Sequence, residues 1–163
     1  MSPSNFGRLL AIDPMSKGFG FVAMEGSERL IDWGLVDLHG KREHHGVRLG
    51  ALLDRLLPQV LVVEALSDSR RGLRAREVVE ESKGVAMDRG MTVETVSRHE
   101  VVGRFGGLAS SKDTLAPRLA EIFPELLPLL PPKRRAWMAE DARMAIFDAL
   151  AFALTVLWGP PLA

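Results

Sequence analysis

Two short apolar runs in this sequence end in an acid, and they restrict the fold more than any other feature. Residues 8–13 (Arg-Leu-Leu-Ala-Ile-Asp) and 60–64 (Val-Leu-Val-Val-Glu) have the length and apolar content of buried strands. Aspartate is depleted from strands, so Asp13 and Glu64 at their ends call for a reason. The segments around them fill in a sheet. Pro14 to Gly18 breaks the first run, residues 19–24 resume with β-favouring side chains, and Gly26-Ser27 marks a turn into a third strand over 30–38. Three strands with tight connections make an antiparallel meander. The period then changes. Val47, Leu49, Leu52, Leu53, Leu56 and Leu57 lie on one face of a helix stopped by Pro58. The strand over 60–63 precedes a helix over 75–87, with Gly90 as its stop, and a strand over 92–96. A helix begins at Ser110-Ser-Lys-Asp-Thr, with Pro117 placed in its first turn, and runs towards Phe123. Residues 124–132 hold four prolines among leucines and read as a packed loop. Residues 141–157 form an apolar helix closed by Gly159-Pro-Pro. The expected fold class is α/β: a mixed five-stranded sheet, three antiparallel strands plus two parallel, flanked by helices. With 163 residues, one domain over 1–163 is expected.

If the first and fourth strands are parallel neighbours, Asp13 and Glu64 meet at one edge. Two carboxylates ~4 Å apart repel by ~4 kcal/mol at an effective dielectric of about 20, and the local sequence offers no evident buried arginine. A divalent cation relieves this. Hard oxygen ligands suit magnesium, with manganese as a substitute, and paired ions activate water for phosphodiester cleavage. A third acid is available on the last helix. Asp148 interrupts the apolar stretch 144–154, where a charge is expensive unless paired or metal-bound. Asp141 stands seven residues earlier on the same expected face, ~10.5 Å along the axis. One of the two is the ligand; the other, like Glu140, is a capping or solvated acid.

Composition removes several alternatives. Cysteine is absent, which excludes disulfides, thiolate zinc and cysteine nucleophiles. No signal peptide is visible, and Arg143 and Asp148 interrupt the most apolar segment, so a cytoplasmic protein without a membrane partner is expected. The 21 basic residues balance 21 acidic ones, so any phosphate-binding surface must come from local clusters. Two exist, Arg70, Arg71, Arg74 and Arg76 after the Glu64 strand, and Lys133 to Arg135; each reads either as a solvated segment or as a contact to nucleic-acid phosphates. Gly103, Gly106 and Gly107 lack the strand–loop–helix context of a phosphate loop, so no nucleotide cofactor is expected. His44 and His45 read as exposed turn residues, His99 beside Glu100 as structural, and Trp33, Trp137 and Trp158 as packing residues.

Four segments, in order, make the chain resemble the RuvC-type Holliday-junction resolvases, a branch of the ribonuclease H-like superfamily. Residues 10–20 (Leu-Ala-Ile-Asp-Pro-Met-Ser-Lys-Gly-Phe-Gly) are similar to the family's opening strand and Asp-Pro-Gly-Ser turn. Residues 61–64 resemble its glutamate-bearing strand. Residues 98–107 followed by Ser111-Lys112-Asp resemble its segment before a lysine-bearing helix, and Asp148-Ala-Leu-Ala-Phe-Ala its closing helix. The resemblance implies a ribonuclease H-like fold and a magnesium-dependent endonuclease that cuts branched DNA as a homodimer. It implies metal ligation by Asp13, Glu64 and Asp148, with Asp141 as the alternative third acid, and places Lys112 near the cleaved phosphate. Arg70, Arg71 and Arg74 are the accompanying candidates for DNA contact, and helix 75–87 a candidate dimer interface. Two departures stand out. Met15 replaces a glycine of the family's turn, and Ala145 stands where the family has a second acid or a histidine. They raise a second expectation, a nucleic-acid-binding relative with weakened turnover. A ribosomal-RNA processing nuclease of the same superfamily is a third. A sugar-kinase or actin-like ATPase needs two such domains, and the chain has room for one.

Overall fold

The computed structural model describes residues 7–66, 72–107, 112–132, 135 and 137–159, with the backbone alone at 112 and 113. Five strands form one mixed sheet: β1 (Arg8–Met15), β2 (Gly18–Glu25), β3 (Arg29–Asp37), β4 (Val60–Glu64) and β5 (Thr92–Val96), in the order β3-β2-β1-β4-β5. β1 pairs antiparallel with β2, and β2 with β3, where a bulge at Ala23/Met24 shifts the register. β1–β4 and β4–β5 are parallel. The mixed sheet expected from the sequence is the one observed.

The helices are α1 (His45–Leu56), α2 (Leu73–Met87), α3 (Arg98–Phe105), α4 (Lys112–Ile122) and α5 (Met144–Trp158). Alternation along the strands separates two cores. Leu9, Ala11, Val22, Met24, Val60, Val62 and Val96 pack with α5, α4 and α3. Leu10, Ile12, Phe19, Phe21, Leu61 and Val63 pack on the other face with α1 and α2. Thirteen of the fifteen residues of α5 are buried, because it lies between the sheet and the outer helices. A helix that is apolar all round belongs in such a place. Among the described residues, no helix is long and apolar enough to cross a membrane.

Three local readings are corrected, and one helix is added. The segment after β5 is helical: Ser97 Oγ accepts from the Glu100 N–H at 3.0 Å, and Glu100 Oε1 accepts from the Ser97 N–H at 3.3 Å. This reciprocal capping box starts α3. Pro117 is the sixth residue of α4, beyond its first turn. Residues Pro124–Leu129 form a 3-10 helix whose Leu126 is fully buried, in place of an irregular loop. Finally, α5 starts at Met144, so Asp141 lies in the turn before it.

Candidate active site

β1 continues through Pro14 to Met15, so Asp13 lies two residues inside the strand rather than closing it, while Glu64 does end β4. Leu9 pairs with Val60, Leu10 with Leu61 and Ala11 with Val62, a constant offset of 51 residues. Carried two residues further, that offset sets Asp13 beside Glu64 on strands ~4.8 Å apart. Ala11 and Val62 both face α5, and the period of two puts Asp13 and Glu64 on the same face. Both are buried, at 5% and 6% exposure.

Asp148 reaches this edge through a glycine contact. Gly20 is the cross-strand partner of Asp13. A Cβ built there would stand 2.6 Å from Ala145 Cβ and 2.7 Å from its carbonyl carbon, so only glycine lets the first turn of α5 rest on β2 at this level. Asp148 follows Ala145 by three residues, ~4.5 Å along the axis, and is 3% exposed. Ala145, at the position of the missing family acid, is therefore packed against the sheet beside Asp13.

The site also contains a cation that the sequence did not reveal. β4 pairs with β5 so that Glu64 stands opposite Val96. Two residues on, Arg98 opens α3, and its Nη1 lies 3.7 Å from Asp148 Oδ1. For Asp13 and Glu64 the local sequence offers no evident buried arginine; the cation found here stands beside the third acid, Asp148. Arg98 comes from a strand end fifty positions away in sequence, which local reading cannot pair with Asp148.

The remaining candidates are distributed as follows. Asp141 accepts from the Arg143 backbone N–H at 2.9 Å, from Nε at 3.0 Å and from Nη2 at 2.7 Å. These bonds hold its carboxyl below the ordinary carboxylate range, and they tie it to the entry of α5. Glu140 is exposed. Arg74 is exposed in the first turn of α2, while Arg70 and Arg71 lie outside the described residues. Lys112 is the first residue of α4; its side chain lies outside the described residues, as do Lys133 and Arg134. His45 is corrected from an exposed turn residue to a fully buried one. His44 is exposed, as expected, and His99 is exposed in the first turn of α3. Trp158 packs on Phe105 at 5.8 Å with Arg104 over its ring, and Trp33 packs against the α5 core. Trp137 is not a packing residue: it is 75% exposed beneath Arg135. Gly106 caps α3 at φ +64°, so that glycine-rich stretch includes a helix end.

Three buried carboxylates are a hard-oxygen donor set of the kind divalent cations take, and by this measure the residues fit such an ion. Among the described residues, however, no three acidic or histidine side chains converge closely enough to hold one as they stand. Asp148 faces Arg98 instead.

A mixed β3-β2-β1-β4-β5 sheet flanked by helices is the ribonuclease H-like fold. Within it, the chain is similar to RuvC of Thermus thermophilus in complex with a Holliday-junction substrate, at a TM-score of 0.67, 20% identity and 93% coverage of each chain. A second structure of Thermus thermophilus RuvC gives a TM-score of 0.61 and 23% identity over 91% of this chain and 92% of that one. The fowlpox virus Holliday-junction resolvase gives 0.60 and 15% over 93% and 98%. At these identities the likeness is one of fold. No protein-family model and no curated protein matches the sequence.

Proposed function

We propose that this chain is a divalent-metal-dependent endonuclease that cuts branched DNA such as four-way junctions. The observation that carries the reading is the parallel pairing of β1 with β4, whose offset, continued past its last pair Ala11–Val62, aligns buried Asp13 with buried Glu64, with Asp148 buried on the helix packed on the same face. The fold neighbours, solved as Holliday-junction resolvases, support it. Asp13, central between β2 and β4, would hold magnesium jointly with Glu64 and Asp148. Held by these three carboxylates, a divalent ion would supply Lewis-acid stabilisation of charge on the phosphate and a more acidic bound water. The residues of the chain do the rest. Burial of the carboxylates keeps bulk water away from the reacting phosphate and strengthens every charge interaction there. The register of β1 and β4 fixes the spacing between Asp13 and Glu64, and α5 brings Asp148 across them. Arg74 and Lys112, at the starts of α2 and α4, together with Arg70 and Arg71, are proposed to meet the DNA backbone, which orients the strand without reading its sequence. Symmetric cutting of a junction needs two active sites, so a homodimer acting on cytoplasmic DNA is part of the proposal. α2, which exposes Leu73 and Met87, is its proposed interface.

Asp13→Asn tests this. The variant should lose junction cleavage in magnesium and manganese by about three orders of magnitude, ~4 kcal/mol of barrier, while its circular dichroism stays native. Undiminished cleavage would remove Asp13 from the chemistry.

A second reading rests on its own observations. Ala145 fills the place of an acid, and Arg98 already compensates Asp148. Both favour a junction-binding relative with reduced turnover. Junction binding without cutting, across several metals and junction sequences, would select it.

A further inference from the structure

A second charged feature lies at the same sheet edge, on the opposite face from the carboxylates. Ser16, Lys17, Arg42, His45 and Arg74 line a shallow cleft whose enclosed volume is about 10 Å³, the rest being open to solvent. Lys17 comes from the β1–β2 turn, Arg42 from the 3-10 turn before α1, and Arg74 from the first turn of α2. Lys17 and Arg74 make no ion pair among the described residues, whereas Arg42 Nη1 donates to Glu81 Oε2 of α2 at 2.6 Å.

His45 gives this cleft a specific chemistry. Its ring is fully buried and meets Phe19 edge-on at 5.2 Å. Ser82 Oγ donates its hydrogen to Val78 O at 2.6 Å, and a hydroxyl has no second hydrogen to give. The 2.8 Å contact between His45 Nε2 and Ser82 Oγ is therefore an N–H donated by the imidazole. When His45 is neutral, Nδ1 then carries a bare lone pair, and this buried atom has no hydrogen-bond partner among the described residues.

A lone pair repels an anion, while three surrounding cations attract one. Protonation resolves the conflict by turning Nδ1 into a donor. We propose that this cleft is a phosphate-binding subsite in which Nδ1 of His45 takes up a proton from solvent as the anion enters, so that the ring N–H acts together with Lys17 and Arg74. Without an anion, burial is the largest influence on His45 and holds its pKa below the ordinary value; Arg42 acts in the same direction and Glu81 opposes them. An entering anion adds negative charge and raises that pKa. Binding is then strongest below the pKa of free His45 and fades as pH rises through that of the occupied form. The shared chemistry is a phosphate oxygen, either from the backbone of a nucleic-acid strand or from free phosphate.

The test follows the imidazole nitrogens of the ¹⁵N-histidine-labelled full chain by NMR across pH, without divalent cations. Chloride, inorganic phosphate and a short single-stranded oligonucleotide are compared at equal ionic strength. His45 should become imidazolium at a pH about one unit higher with phosphate or with oligonucleotide than with chloride, equivalent to roughly tenfold tighter binding to the protonated form. The Lys17→Ala/Arg74→Ala double variant should lose most of that difference. A response to the oligonucleotide assigns the subsite to strand phosphates; a response to inorganic phosphate alone assigns it to the free anion. The same midpoint in all three solutions, or a shift that survives in the double variant, overturns the proposal. Since nothing is cut in this experiment, its outcome is separate from that of the nuclease reading.

Discussion

The sheet presents opposite charge on its two faces at one edge. Towards α5, Asp13, Glu64 and Asp148 are 3–6% exposed, placed by strand register and by a glycine contact. Towards α1 and α2, Lys17, Arg42 and Arg74 stand on turns and on the first turn of a helix. The acids are carried by elements whose movement would disrupt the core, whereas the cations can adjust by side-chain rotation. Chemistry that needs carboxylates at fixed spacing belongs on the first face. Holding a flexible polyanion belongs on the second. Among the described residues, Arg98 stands on the acidic side beside Asp148, and it does so from just past the end of β5.

The contrast can be broken most severely at Gly20. A Cβ there meets the backbone of α5, so Gly20→Ala should destabilise the protein by about 1–3 kcal/mol. It should also move Asp148 away from Asp13, lowering cleavage well beyond the effect of the stability loss. Urea unfolding beside single-turnover cleavage separates the two effects, and unchanged stability would mean that α5 does not rest on β2 here. Arg98→Gln sharpens the comparison from the acidic side. Removing the cation beside Asp148 should cost about 1 kcal/mol of stability in chelator, the pair being partly exposed on the arginine side, and should tighten manganese binding several-fold. Calorimetry with the metal alone reads this, and weaker metal binding would contradict it. The smallest effect belongs to Asp141→Asn. Arg143 lowers the carboxyl pKa, so the contribution of Asp141 is present above the unfolded-state pKa and is lost as pH falls through the folded one. With both side chains about one-third exposed, the loss near neutral pH should be under ~1 kcal/mol, vanishing in acid. Cleavage should fall far less than for Asp148→Asn.

What was legible in the sequence follows the same division. Strands buried on both faces must be continuous apolar runs of the right length, so β1 and β4 and the acids towards their C-terminal ends stand out. Asp148 stands out because a charge inside an apolar helix needs a partner. The partner itself was hidden, since Arg98 approaches through tertiary structure. His45 was misread for a similar reason: beside His44 and Glu43 it looks like a turn, and its burial depends on Ser82 and Phe19, 37 and 26 positions away. The start of α3 is legible in Ser97-Arg-His-Glu100, which has the spacing of a capping box, although the glycines that follow draw the segment towards a loop. Asp141 lay on the extended apolar pattern of the last helix, but its bonds to the Arg143 backbone and side chain hold it in the turn before the first helical residue.

The central claim is that Asp13, Glu64 and Asp148 share a divalent cation. Manganese soaked into crystals and located by its anomalous scattering tests it most directly. A peak is expected between the ends of β1 and β4, ~2.0–2.3 Å from oxygens of Asp13 and Glu64, with the Asp148 carboxylate turned from Arg98 towards the ion. No peak at that edge at saturating manganese, or one that leaves Asp13 uncoordinated, would contradict it.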